Sequence, residues 1–188
     1  MAAGRDGGAT NREDGALREL WLLRHAKSAW DVPGLDDHDR DLAPRGLKAA
    51  PRIGRRMAEL GLVPDLVLCS TARRAVHTWE LVAAELPRPV EVRFLEGLYL
   101  ASPAALLRTI RGQPAEVRRL LLVGHDPGFH RLALLLVGAD DPEARVSGLT
   151  AKFPTGALCR IGLPVEDWAE VEAGRGRLLA FLKPRELD

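Results

Sequence analysis

Several features are scarce in this chain of 188 residues. It contains only two cysteines, Cys69 and Cys159, with no Cys-x-x-Cys pair and no Cys and His at metal-ligand spacing, which argues against a zinc site or a dense disulfide framework. No run approaches the roughly 18 consecutive apolar residues that would suggest a membrane span. Neither sign of charge dominates, since 27 Lys and Arg stand against 26 Asp and Glu. The overall charge therefore indicates neither nucleic acid nor an acidic partner.

These absences favour a reduced, cytoplasmic protein, although the sequence leaves open whether the two cysteines ever pair. Residues 1–18 are rich in Gly, Ala and mixed charges and contain no apolar core of a signal peptide, so we predict a disordered leader there. The remaining segment, 19–188, is long enough to bury one sizeable core. We therefore expect one domain, and the sequence does not indicate its oligomeric state.

Short apolar runs alternate with amphipathic stretches along this segment. Helical spacing of apolar residues predicts helices over 44–60, 70–86, 102–111 and 126–137. Pro51 predicts a kink or a later start in the first of them, and Ser70 or Thr71 and Asp126 are the expected caps of the second and the last. Buried strands are predicted at 20–23, 65–69, 90–94, 120–123, 157–163 and 178–182, the last antiparallel at an edge. This alternation indicates an α/β fold with a mainly parallel sheet.

Basic and imidazole side chains follow three of the predicted strands directly. Arg24 and His25 end the first run, Arg74 lies within the segment 70–78 after the second, and His125 follows the clearest buried run. In an open α/β sheet, the carboxyl ends of neighbouring strands line one crevice. We therefore expect these side chains to converge on a tetrahedral anion, for which forked guanidinium groups are well suited.

The same stretches resemble the histidine phosphatase superfamily, which has the phosphoglycerate mutase-like fold. The resemblance rests on Arg24-His25-Ala26, on Arg74 four residues after Ser70, and on Val123-Gly124-His125. The segment 39–46 and the compact length look most like SixA-type phosphohistidine phosphatases, whereas Ala26 replaces a Gly found in many members. The resemblance implies three layers, with a mainly parallel central sheet and helices on both faces.

The resemblance also implies a role for each site residue. His25 would be the nucleophile that takes the phosphoryl group, Arg24 and Arg74 would hold its oxygens, and His125 would complete the pocket. Ser28, on the loop after the first strand, would contact phosphate. No metal ion or cofactor would be needed.

The proton donor for the leaving group is the open assignment. Glu96 follows a predicted strand and resembles the position at which many family members carry their acid. Asp126 resembles the aspartate of the His-Asp pair in the acid phosphatase branch. We prefer Glu96, with Asp126 or solvent as the alternatives.

The resemblance predicts a metal-independent phosphatase that hydrolyses a phosphomonoester or phosphoramidate through a phosphohistidine on His25. A SixA-like enzyme would act on phosphohistidine in a protein, although a small phosphorylated metabolite is also a possible substrate. Two alternatives stay open. One is a metal-dependent phosphohydrolase that uses His38, Asp39, His125 and Asp126, and the other is a phosphate-binding regulator without turnover.

Overall fold

A single mixed sheet organises the molecule, for which a computed structural model describes residues 18–138 and 140–187. Its six strands lie in the order β3-β2-β4-β1-β5-β6. Their bounds are β1 (Arg18–Arg24), β2 (Leu66–Ser70), β3 (Val92–Leu95), β4 (Arg119–Gly124), β5 (Leu158–Leu163) and β6 (Arg177–Leu182). The first four strands run parallel, whereas β5 pairs antiparallel with β1 and with β6. The predicted mainly parallel sheet and the antiparallel edge strand are confirmed.

Helices cover both faces of this sheet. In the described part of the chain they are α1 (Pro44–Glu59), α2 (Arg73–Ala83), α3 (Pro103–Arg111), α4 (Gly128–Val137) and α5 (Pro142–Val146), with 3₁₀ helices at Asp37–Asp39, Glu96–Leu98, Trp168–Glu170 and Pro184–Glu186. Alternate residues of β1 enter opposite cores, because side chains alternate across a strand. Leu22 belongs to the cluster that includes α3 and α4, and Trp21 to the cluster that includes α1 and α2. This is the predicted three-layer arrangement.

Pro51 does not delay the start of α1, which begins at Pro44 and continues through Pro51. The later start was wrong because buried residues lie on both sides of the proline, with Ala50 directly before it. Ile53 and Met57 are almost fully buried, and each contributes roughly 1.5–3 kcal/mol by leaving water. That burial offsets the about 3 kcal/mol that a proline costs inside a helix.

Two predicted helix caps were also wrong. The N-cap of α2 is Ala72, because Ser70 is the last residue of β2. The N-cap of α4 is Pro127, and no side-chain hydrogen bond caps that helix. By contrast, Ser102 caps α3 as expected, since its hydroxyl accepts from the Ala105 N–H at 3.2 Å. The short helix α5 was not anticipated from the sequence.

The predicted leader lies outside the described residues except for Arg18, which is buried and opens β1. Both cysteines are free and buried. None of the helices described is long and apolar enough to cross a lipid bilayer.

Candidate active site

The carboxyl ends of three adjacent strands, β2, β4 and β1, meet beside a cavity of about 430 Å³. Arg24 is the last residue of β1 and His25 follows it, His125 follows β4, and Arg74 lies in the first turn of α2. All four line the cavity, as does Ser28. The ring centroids of His25 and His125 are 5.2 Å apart. The structure thus brings together the four side chains that the sequence analysis selected.

The His25 ring is held in one tautomer. Its Nδ1 lies 2.7 Å from the carbonyl oxygen of Ala26, and because a carbonyl only accepts, the proton must be on Nδ1. The Nε2 lone pair then accepts from Arg74 Nε–H at 3.4 Å. Burial, and next to it the charges of Arg74 and Arg24, lower the pKa of His25 to about 4. At neutral pH the ring therefore presents an unprotonated Nε2 to the cavity.

Thr78 ties the loop that carries His25 to the helix that carries Arg74. Its side chain is fully buried. Its Oγ1 accepts from the Ala26 N–H at 3.0 Å and donates to the Arg74 carbonyl at 2.6 Å. One hydroxyl therefore fixes two groups of the site relative to each other.

His125 is positioned by the end of β2. Its Nε2 lies 2.8 Å from Ser70 Oγ, which also accepts from the Ala72 N–H at 3.3 Å. Burial, followed by the neighbouring His25 and Arg74, lowers the pKa of His125 to about 3. This ring is neutral at pH 7, and its Nδ1 is buried without a hydrogen-bond partner in the described structure.

Arg24 reaches the cavity from the end of β1. Its Nη1 donates to the carbonyl oxygen of Phe153 and lies 3.9 Å from Asp126 Oδ2. Its Nε is buried without a partner among the described residues, as is His125 Nδ1. An unmade hydrogen bond at a buried polar group costs about 1–3 kcal/mol. Orphaned nitrogens on two cavity residues could donate to a bound anion, whereas a third orphaned atom of the lining, Asp126 Oδ1, would need a donor.

An acidic loop residue, Asp37, enters the site and was missed by the sequence analysis. Its carboxylate accepts from Arg74 Nη2 at 2.9 Å and from the Tyr99 hydroxyl at 2.6 Å. The hydrogen bond from Tyr99, and to a smaller extent that from Arg74, lowers the pKa of Asp37. Its carboxylate is therefore ionised at neutral pH. The run of acidic residues from Asp36 to Asp41 was visible in the sequence, but nothing in it indicated Arg74 as the partner.

Ser28 and Trp30 form the wall beside the His25 loop. Ser28 is buried, and its Oγ accepts from Trp30 Nε1 at 3.1 Å, which leaves its own hydroxyl proton free for another acceptor. Trp30 is 64% exposed and lines the same cavity.

Glu96 is not brought into the site. It is exposed, opens the 3₁₀ helix after β3, and does not line the cavity, whereas Asp126 does. The preference for Glu96 is not supported by its placement, because the segment after β3 brings Tyr99 and Leu100, rather than Glu96, to the site. Of the two candidate acids, Asp126 is the one at the site.

The metal-dependent alternative lacks a ligand set. Within residues 18–138 and 140–187, no group of three or more His, Cys, Asp or Glu side chains is placed to hold a metal ion. His38 Nε2 is instead bonded to Thr71 Oγ1 at 3.0 Å, and the side chain of Asp39 is 64% exposed.

Comparison with known proteins agrees with this geometry. Residues 20–99 match the family model of the histidine phosphatase superfamily, branch 1. An uncharacterised Mycobacterium tuberculosis protein, Rv1276c, is 37% identical over 164 residues, which cover 87% of this chain and 100% of the relative.

Two solved structures, assigned as phosphohistidine phosphatase SixA, are similar over most of the chain. The one from Agrobacterium tumefaciens has a TM-score of 0.76 at 30% identity and covers 89% of this chain and 98% of its own. The one from Nakamurella multipartitia has a TM-score of 0.76 at 27% identity and covers 89% and 96%. The chain therefore belongs to the histidine phosphatase superfamily, in its SixA-type branch, and is a phosphatase.

Proposed function

We propose that this phosphatase works without a metal ion, through a covalent phosphohistidine on His25. In the first step, Nε2 attacks phosphorus in line, the P–Nε2 bond forms, and the bond to the leaving group breaks. In the second step, water attacks the same phosphorus, the P–Nε2 bond breaks, and inorganic phosphate leaves. The single observation that carries this proposal is the unprotonated Nε2, held beside Arg74 by the Nδ1 bond to Ala26.

The other groups neutralise charge on the transferred phosphoryl group. Arg24 and Arg74 supply guanidinium donors that keep their charge at every working pH. We assign the proton of His125 to Nδ1, with Ser70 donating to Nε2, so that the orphaned Nδ1 donates to a phosphate oxygen. Such positioning and charge stabilisation provide most of the catalysis of phosphoryl transfer.

The leaving group takes its proton from Asp126 or from solvent. Phosphohistidine in a protein is the proposed substrate, because a protonated imidazole leaves readily and makes a strong dedicated acid unnecessary. The naming of the structural relatives as phosphohistidine phosphatases supports this choice. The exposed Trp30 at the cavity also fits a substrate larger than a metabolite.

The test is to trap the intermediate with a radiolabelled phosphodonor. The wild-type protein is expected to acquire an acid-labile, base-stable label and to release phosphate at the same rate after exhaustive EDTA treatment. His25→Ala should lose both labelling and turnover. His130→Ala is the matched control, because His130 does not line the cavity. Turnover by His25→Ala at the wild-type rate would refute the proposal.

A further inference from the structure

A second, larger concavity adjoins the catalytic cavity and has no role in the proposed chemistry. This basic groove has a volume of about 980 Å³ and is walled by the start of α1, the segment before β5 and the chain after β6. Its lining includes eight Arg and Lys residues and one acid, Glu186. The eight are Arg24, Lys27, Arg45, Lys48, Arg52, Lys152, Lys183 and Arg185.

The charge of the groove is local, because the chain as a whole has a formal net charge of only +1. Lys183 is bonded to Glu186 at 2.7 Å. Five other cations of the groove have no carboxylate partner among the described residues. They are Lys27, Arg45, Lys48, Lys152 and Arg185. Unpaired like charges around one concavity repel each other, and a bound anion would relieve that repulsion.

The groove is elongated along α1. Arg45, Lys48 and Arg52 are spaced three and four residues apart, so they share one helix face, and they span about 10 Å along the axis. The first turn of α1 contains no acidic residue, so the partial positive charge of the helix N-terminus adds to theirs. An extended anion of about three or four peptide residues has the matching length.

The groove is continuous with the catalytic cavity. Arg24, Lys27 and Thr155 line both. A single bound molecule can therefore place a phosphoryl group at His25 and extend its remaining negative charge over the groove.

The surroundings favour a protein segment over other polyanions. No aromatic side chain lines the groove, so it lacks the stacking platform on which single-stranded nucleic acids bind. The catalytic cavity, by contrast, is bordered by exposed apolar groups, Trp30 at 64% and Leu100 at 55%. A protein that covers such side chains removes apolar surface from water, whereas a small polyphosphate would not.

We propose that the basic groove binds an acidic segment of the phosphoprotein substrate, next to the phosphorylated residue that enters the catalytic cavity. This inference rests on the proposed function and adds that the basic groove selects which phosphoprotein is bound. Three ion pairs between an acidic segment and exposed cations of the groove should together favour that segment about tenfold.

The experiment compares two synthetic peptides that each carry one central phosphohistidine. One has three Glu on either side of it and the other has three Gln. For the wild-type protein, kcat/KM for the Glu peptide is expected to exceed that for the Gln peptide about tenfold. The preference should weaken as salt is raised to about 0.5 M, because screening shortens the reach of exposed charges.

Two triple variants remove the same charge from different surfaces. Arg45→Gln/Lys48→Gln/Lys152→Gln should abolish the preference for the Glu peptide. The matched control, Arg108→Gln/Arg131→Gln/Arg177→Gln, changes exposed arginines outside both cavities and should retain it.

Equal kcat/KM for the two peptides in the wild-type protein, with turnover of both, would overturn the groove proposal and leave the proposed function intact. A preference that the control triple also loses would overturn it as well, because it would reflect overall charge. Groove-dependent turnover of inorganic tripolyphosphate without any peptide preference would assign the groove to small polyanions instead. Failure to turn over any of these compounds would instead refute the proposed function.

Discussion

Thr78→Val tests how the site is held together, because it removes one hydroxyl and keeps the shape of the side chain. The Ala26 N–H would lose its partner inside the protein, and the Arg74 carbonyl would lose a donor. A buried donor left unsatisfied costs about 1–3 kcal/mol. Since Thr78 is fully buried, water cannot replace the hydroxyl, and we expect a loss near 2 kcal/mol in the free energy of unfolding.

The loss should extend to catalysis. The backbone of Ala26 donates through its N–H to Thr78 and accepts through its carbonyl oxygen from His25 Nδ1. A displacement of Ala26 therefore moves His25 Nε2, the proposed nucleophile, relative to Arg74. A shift of about 1 Å in such a site can cost about 100-fold in rate. We expect kcat to fall at least about tenfold at a temperature where the variant is fully folded.

The assay combines urea denaturation with kcat measured on a small phosphomonoester. Thr78→Ser is the matched control, because it restores the hydroxyl and loses a methyl group, and it should recover most of kcat. Wild-type kcat in Thr78→Val, whatever its stability, would show that the hydroxyl does not position the nucleophile.

Four further predictions concern charge at the site. With the pKa of His25 at about 4, kcat/KM should stay flat from pH 7 to about 5 and fall below it, and an acid limb near pH 6.5 would contradict this. His25 and His125 stay neutral in the folded state down to about pH 4, whereas unfolded His protonates near pH 6.5. The contribution of these two histidines to the unfolding free energy should therefore be constant above that pH and fall on acidification towards pH 4, by up to about 1.4 kcal/mol per residue per pH unit, in urea titrations. Arg74→Lys should lower kcat/KM about 100-fold, because the ammonium group of lysine cannot replace the paired donors of the guanidinium. An unchanged kcat/KM would argue against Arg74 as a phosphate-binding residue. Asp37→Asn removes a carboxylate that competes for Arg74, so phosphate should inhibit about threefold to tenfold more tightly, and weaker inhibition would show that Asp37 orients the arginine.

The sequence predicted Arg24, His25 and His125 because they lie at the ends of buried strands, and the family resemblance selected Arg74 over its neighbour Arg73. Arg24 and His125 can be placed from the strands alone, since parallel strands direct their carboxyl ends to one edge of the sheet. Arg74 needs one more step, the first turn of α2. Their convergence follows from local patterns that the sequence displays.

The contributions of the long loops could not be predicted in this way. Asp37 reaches Arg74 through a segment without periodicity, and its second partner, Tyr99, lies 62 residues further along the chain. Glu96 does not line the cavity for a related reason: the conformation of the segment after β3 brings Tyr99 and Leu100 to the site instead. Sheet order and loop conformation are set by tertiary packing, which spacing along the chain does not encode.

The reversed direction of β5 separates chemistry from partner choice. Because β5 runs antiparallel to β1, the chain arrives at the phosphate edge before that strand, through the segment that carries Lys152 and Thr155. The phosphoryl-transfer residues, by contrast, leave that edge after β1, β2 and β4. Under the role proposed for the basic groove, insertions or deletions ahead of β5 would change which partner is selected while the residues around His25 stayed in place.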